Sequence, residues 1–223
     1  MTADDTLAAI TLGPSMAAPK SRRETYHHGR LKQAMVEAAI ELIAEVGPHA
    51  VTVREAARRA GVSPGAPFRH FPTRAALMTA VAEEAMRRFQ KAIGACLAQV
   101  ARFGPREKLE VVGKAYVGWA VAHPAYFKAL SNRDLIDFEG SSALMEMSAQ
   151  TEALLAGLFG EAKRLGLLAA DDVETAALSA RAVVYGLARM YVDGHFIGLS
   201  REQVIAKTEA TLDAYLAGVF KPA

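Results

Sequence analysis

The side chains that could do chemistry crowd into one short stretch, T-V-R-E-A-A-R-R-A-G-V-S-P-G-A-P-F-R-H-F, running from Thr52 to Phe71. Arg54, Arg58, Arg59, Arg69 and His70 stand there among alanines and glycines. Small residues let a backbone come close to a partner, and cations beside them suit a polyanion such as DNA. An alanine-rich pair of solvated helices would carry the same residues, so the spacing has to decide. Bond-making chemistry finds no support elsewhere. The chain has no G-x-x-x-x-G-K-[ST] and no H-E-x-x-H. His27 and His28 lack Cys or carboxylate partners at ligand spacing, and His123 and His195 form no visible dyad. No catalysis, no metal and no cofactor are expected.

The elements that must hold those arginines read as two short helices around a tight turn. Thr52 is a good N-cap with Glu55 at the capping-box distance. Val53, Ala56, Ala57 and Ala60 give the first helix an apolar face. Gly61 supplies the positive φ of a sharp turn, and Val62 can plug the corner. Ser63 caps a second helix from Pro64 to about Phe71. Ala57 and Gly61 allow the close crossing that a helix-turn-helix requires.

Docked as such units dock, the second helix offers its N-terminal residues to the major groove. Gly65 permits close approach, and Ala66 can touch a thymine methyl. Arg69 is a candidate for a guanine edge or, equally, for a phosphate, and His70 for a phosphate or sugar. Thr52 and Thr73 are helix N-caps that with Arg54 and Arg74 could grip phosphates on either side. Phe71 reads as core. Lys20 to Lys32 is a basic arm containing Arg30; it reads either as a phosphate or minor-groove contact or as a solubilising tail.

A first long helix from about His28 to Val46 should precede the unit, with Leu31, Met35, Ala38, Ala39, Leu42 and Ile43 at helical spacing. A helix from Thr73 to about Val100 should follow it and act as the lever to the rest. From Tyr26 to about Phe89 the chain resembles the DNA-binding domain of TetR-type transcriptional regulators. Ala38, Leu42, Gly47, Thr52, Ala57, Gly61, Val62, Ser63, Phe68, His70, Phe71, Arg74 and Leu77 carry the likeness. The remainder is similar to a C-terminal type with Trp119, His123-Pro124 and Tyr185-Gly186. The resemblance implies that position 68 is often a tyrosine bonded to a phosphate; Phe68 keeps the ring and loses that bond. Pro67 departs from the usual larger aliphatic residue and should shorten or tighten the helix.

The expected fold is all-α: an N-terminal three-helix helix-turn-helix domain, then a C-terminal helical bundle, about nine helices in all. Residues 1–22 read as a disordered tail, 23–89 as the DNA-binding domain with its helix-turn-helix at 52–71, and 90–223 as the effector-binding and dimerisation domain. The charge agrees. Net charge is +2 over 223 residues, yet residues 20–74 hold ten Lys/Arg against five Asp/Glu. One cysteine, Cys96, and no apolar run of membrane-spanning length fit a cytoplasmic protein.

One reading head buries too little groove for selectivity, so a homodimer on a palindrome is expected. A helix near Asp172 to Val192 is apolar around most of its circumference and should be buried on both sides. With the last helix it should pack on its symmetry mates, as the resemblance implies. Trp119, His123, Phe127, Met145, Tyr185 and Arg189 are candidates for an effector pocket or simply for core. Arg189 needs a carboxylate or an anionic ligand if buried. By resemblance, a small apolar or amphipathic effector would tilt the lever helix, making the chain a ligand-responsive DNA-binding regulator, most naturally a repressor. An effector-independent architectural DNA binder and a helical small-molecule-binding protein are the rival readings.

Overall fold

The computed structural model describes residues 22–63, 65, 67–169 and 172–222, with side chains from Leu31 onward. The tail expected over 1–22 therefore lies almost wholly outside the described residues. Eight α-helices account for the fold: α1 (Arg22–Val46), α2 (Val53–Arg59), α3 (Arg74–Gln99), α4 (Pro105–Ala122), α5 (Pro124–Ser131), α6 (Ser142–Arg164), α7 (Val173–Val192) and α8 (Arg201–Val219). Among the described residues the β-structure is one isolated antiparallel bridge between Leu168 and Phe220.

α1 begins at Arg22, earlier than His28, so much of the supposed arm is the first turns of a helix. Gly29 does not stop it, because a glycine inside a helix costs only about 1 kcal/mol against alanine. Gly47, at φ 82°, turns the chain after it. Thr52 caps α2 as expected, its Oγ1 accepting the Glu55 N–H at 3.1 Å. The capping box is only half formed, because the Glu55 carboxylate takes Arg58 instead, at 2.5 Å. At the other end Gly61 has φ 66°. Its N–H donates to Arg58 O at 3.2 Å and that of Val62 to Ala57 O at 3.1 Å, which is the Schellman closure. Val62 then packs on the core, as its place at the corner predicts.

The element after the turn differs from expectation. Among the described residues it is a 3-10 turn, Pro67–Arg69, and not an α-helix from Pro64 to Phe71. This is why eight α-helices are found where about nine were expected. Pro67 has no N–H to donate to the Ser63 carbonyl, the first bond such a helix would make, and a proline steers its predecessor away from the α region. The Pro67 carbonyl instead accepts both His70 N–H at 2.9 Å and Phe71 N–H at 2.8 Å. Phe71 is 1% exposed and packs with Met35, Ile43, Leu77, Met78 and Val81, closing the small domain.

The body is built around α4, which packs against α3, α7 and α8. α3 runs to Gln99, as expected of the helix from Thr73 to about Val100, and so passes through Phe89, where the two domains were expected to meet. One hydrophobic cluster accordingly runs from Met35 and Ile43 through Phe89 to Trp119 and Phe127. α8 starts with a complete Ser200–Gln203 capping box, and its stripe of Val204, Thr208, Leu212 and Leu216 is buried within the protomer. Within the protomer α7 is covered on one side only. Only Ala176 and Ala188 are fully covered, and Leu178, Tyr185 and Met190 stand exposed.

Arg74 holds the small domain in register. Its Nη2 donates to Pro48 O at 3.0 Å and His49 O at 2.8 Å, tying the start of α3 to the α1–α2 connection. Hydrogen bonds from a charged donor contribute about 1.5–3 kcal/mol. Arg74→Ala should therefore lower the unfolding free energy by about that amount. Arg69→Ala, at an exposed turn position, should change it by less than about 0.5 kcal/mol. Urea unfolding of both variants checks this; equal midpoints would remove the clamp.

Candidate nucleic-acid interface and ligand cavity

The four arginines of the 52–71 stretch, three on α2 and one beyond the turn, divide by their partners. Arg58 is held by Glu55. Arg59 reaches back to α1, where its two amino groups meet Glu45 at 2.6 and 2.5 Å, with Glu41 at 3.8 Å. These bonds hold the Glu45 and Glu55 carboxyls below the usual carboxylate range, Glu45 through Arg59 and Glu55 through Arg58. Two of the cations on the unit are thus neutralised inside the molecule. Arg54, on the first turn of α2, and Arg69, in the 3-10 turn, are exposed and make no ion pair among the described residues.

The other expected contacts fall around these two. Thr52 and Thr73 are exposed caps, Thr73 accepting the Ala76 N–H at 3.0 Å. Ser63 and Gly65 are exposed, and Phe68 presents a 40% exposed ring with no hydroxyl. His70 is half-buried beside the Phe71 anchor. Arg74 is half-buried with Nη2 on backbone carbonyls, which gives it first a positioning role. Ala66 and Pro64, and the Arg30 side chain, lie outside the described residues.

Some distance along α3 a cavity of about 850 Å³ opens between α3, α4, α6 and α7. Its wall is mainly apolar, from Met86, Phe89, Ile93, Trp119 and Phe127 among others. Phe89 meets Tyr116 and Trp119 edge-on, with ring centroids 5.1 and 5.3 Å apart. Such pairs hold their rings in place and keep the wall rigid. A cavity of this size, apolar with a few polar groups, is the usual form of a small-molecule site.

Trp119, Phe127 and Tyr185, expected in a pocket, line this one. His123, Met145 and Arg189 do not. His123 packs its ring 5.7 Å from that of Trp119 and 6.1 Å from that of Tyr126, at the α4–α5 junction. Met145 is 50% exposed on α6. Arg189 donates from Nε to Asp193 Oδ2 at 2.7 Å and from Nη1 to Ser131 Oγ at 3.3 Å, so its partner is a carboxylate one turn along its own helix. That i, i+4 spacing is visible in the sequence and would have removed Arg189 from the list.

Sequence reasoning missed Tyr116, Arg133 and Arg181, all on the lining. Arg133 belongs to a 3-10 turn, Arg133–Leu135, between α5 and α6. Its guanidinium lies 3.4 Å from the Phe138 ring centroid. Arg133 is exposed, and the part of it that is covered pulls it below the ordinary guanidinium value, while deep burial pushes the Tyr116 hydroxyl well above the ordinary phenol value. Arg181 is paired with Glu152 at 2.6 Å. Nothing in the spacing of these residues announces that they share a cavity.

Comparison with known proteins follows the same division. Residues 35–81 match the model of the bacterial regulatory proteins of the tetR family, and residues 109–215 match the tetracyclin repressor-like C-terminal domain. No curated protein matches the sequence. Among solved structures, a protein of unknown function from Rhodococcus sp. RHA1 is 27% identical, with 88% of this chain and 98% of that one covered and a TM-score of 0.71. A tetR-family regulatory protein from Rhodococcus RHA1 is 21% identical, covering 86% and 98%, also at 0.71. The regulator FadR from Bacillus subtilis, solved in complex with stearoyl-CoA, shares the fold at 19% identity, 84% and 98% coverage and a TM-score of 0.66. The two family models together span about two-thirds of the chain, one on the reading head and one on the cavity-bearing body. The chain belongs to the TetR family of bacterial regulators, with the helix-turn-helix of a DNA-binding transcription regulator.

Proposed function

We propose that two copies of this chain bind a near-palindromic operator as a repressor, and that a small apolar or amphipathic molecule entering the cavity releases them. The observation that carries this reading is the continuity of α3. Its first turns supply Leu77, Met78 and Val81 to the core of the reading head. Its later turns supply Met86, Phe89, Gln90 and Ile93 to the cavity wall. A ligand that prefers one position of the later turns therefore also prefers one position of the Thr73 end, which is what coupling between two sites requires.

On DNA, Arg54 and Arg69 supply the charge, because Arg58 and Arg59 are already paired within the protomer. Thr52, Ser63, Gly65, Ala66, Phe68, His70 and Thr73 form the rest of the contact surface, with Arg74 behind it and Arg30 on α1. Few of these can bond to a base edge. Phosphate grip and DNA shape should then carry more of the affinity than base contacts.

The dimer would form on the faces that α7 and α8 turn outward. The stripe of α8 is used inside the protomer, so the partner meets its other face, where Ala206, Ala210, Ala214 and Ala217 are exposed. Met190 of α7, which is not on the cavity lining, is 44% exposed. Small residues there would allow close helix approach. FadR was solved with stearoyl-CoA, and the mainly apolar wall with a few polar groups supports an amphipathic ligand here. The same fold carries the reading of a protein that works in the cytoplasm, beside its operator.

Two measurements test this. Sedimentation at micromolar concentration should return a dimer; a monomer would defeat the operator reading. Fluorescence anisotropy with the DNA beside its own coding region should show salt-sensitive binding well above that to random duplex, with a slope near −0.9 per phosphate contact. Arg69→Ala should cost on the order of 1–3 kcal/mol and relax preference at one base pair. An equal loss on every sequence would assign Arg69 to a phosphate.

A further inference from the structure

The charges on the cavity wall do not cancel evenly. Glu110 is paired with Lys114 at 2.6 Å, and Glu152 with Arg181 at 2.6 Å. Arg133 alone of the charged lining residues has no carboxylate within ion-pair distance among the described residues. The neighbouring carboxylates face elsewhere: Asp134 lies 4.0 Å from His49, and Asp137 accepts the Gly140 N–H at 3.0 Å. What Arg133 does have is the Phe138 face, 3.4 Å from its guanidinium carbon. Stacking on a ring fixes the plane of a guanidinium and leaves its edge donors free for a forked bond to an oxyanion. Lysine in the same place would offer a point charge without that fork.

Two phenols complete the polar end. Tyr116 and Tyr185 line the cavity, and neither hydroxyl has a hydrogen-bond partner among the described residues. Tyr116 and Tyr185 both pack on Phe127, with ring centroids 6.4 and 5.9 Å from its own, and Arg133 lines the same cavity from the turn after α5. Away from it the lining is hydrocarbon, with Leu97, Leu109, Leu155, Phe159 and Leu216. A solvent-exposed cation without an ion-pair partner, beside two phenols on the lining of a largely apolar space of about 850 Å³, favours a ligand with one anionic head and a long apolar body.

We infer that the cavity takes an anionic amphiphile, its carboxylate or phosphate held by the Arg133 guanidinium with the Tyr116 and Tyr185 hydroxyls, and its apolar body lying toward Leu109, Leu155 and Phe159. This rests on the reading of the cavity as the effector site, and names the chemistry of what enters it. Neutral and cationic amphiphiles of the same length would leave Arg133 unpaired or repelled.

The single tryptophan, Trp119, lines the cavity and reports on occupancy by its fluorescence. Decanoate, decyl phosphate, decanol and decylamine are titrated below their micellar concentrations into the full-length protein. One of the two anions should bind roughly tenfold or more tightly than decanol, as expected for a charged hydrogen bond, with decylamine weakest. Whichever anion leads separates a carboxylate from a phosphate head. Arg133→Gln should erase the difference between that anion and decanol, and Arg133→Lys should restore part of it. Decanol or decylamine binding as tightly as the anions in the unaltered protein would overturn the anionic head while leaving the cavity a ligand site. A preference that survives Arg133→Gln would overturn the anchor. No change in Trp119 emission with any of the four probes would remove both the head-group assignment and the effector reading of the cavity.

Discussion

Packing along α3 is the constraint on which the other features depend. A helix of 26 residues has a length of about 39 Å at 1.5 Å per residue, enough to serve a reading head and a ligand cavity in one rigid piece. Its buried face never breaks: Leu77, Met78, Val81, Ala85, Phe89 and Ile93 are all covered, and they join both halves in one hydrophobic cluster. A close-packed interior of this kind does not deform continuously; it shifts between discrete arrangements. Two small units joined by a loop would have no such obligation to move together. The α1–α5 contact strengthens it, since α1 belongs to the reading head and α5 to the cavity-bearing body.

The electrostatics follow from the same economy of parts. A unit only three elements across cannot bury much apolar surface, so side chains with charge are also used to hold it in shape. Arg59 joins α2 to α1 through Glu45, and Arg74 joins α3 to the Pro48–Ala50 turn. Exposed pairs of the first kind add little stability. They do, however, pair two of the four arginines of the 52–71 stretch within the molecule. Arg54 and Arg69 are the two of that stretch with no ion pair among the described residues.

Most of the fold was legible because its signals are local. Thr52, Thr73 and Ser200 cap helices with their own hydroxyls, and Gly61 turns the chain with a positive φ. Such effects act within a few residues, so spacing alone reveals them. The second half of the helix-turn-helix failed for a reason also present in the sequence. Pro67 withholds the first bond of that helix, and its effect was read as a shortening when it replaces the helix by a 3-10 turn among the described residues. The cavity was only half legible. Trp119, Phe127 and Tyr185 were found because aromatic residues on helices turn inward, whether to core or to cavity. Arg133 and Tyr116 were not, since what unites them is how α4 and the α5–α6 connection meet in space.

That connection bears on how the two halves could communicate. Residues 131–141 supply Ser131, Arg133 and Phe138 to the cavity wall. The same segment touches the lever helix at two points: Asp137 N–H donates to Thr79 Oγ1 at 2.9 Å, and Ser141 Oγ bonds to Glu83 Oε1 at 2.9 Å. Ile136 is buried in the shared cluster between them, and Asp134 faces His49 at the α1–α2 connection. One turn of α3 thus lies between a segment that contacts the cavity and the helix-turn-helix itself. A ligand acts on an equilibrium only through contacts that differ between its two states. Contacts to Arg133 and Phe138 satisfy that condition if the segment moves with α3, because Thr79 and Glu83 belong to the half of α3 that carries the reading head. An apolar body alone would press on α3 directly; a polar head on Arg133 adds a second grip on the same lever, through the 131–141 segment bonded to it.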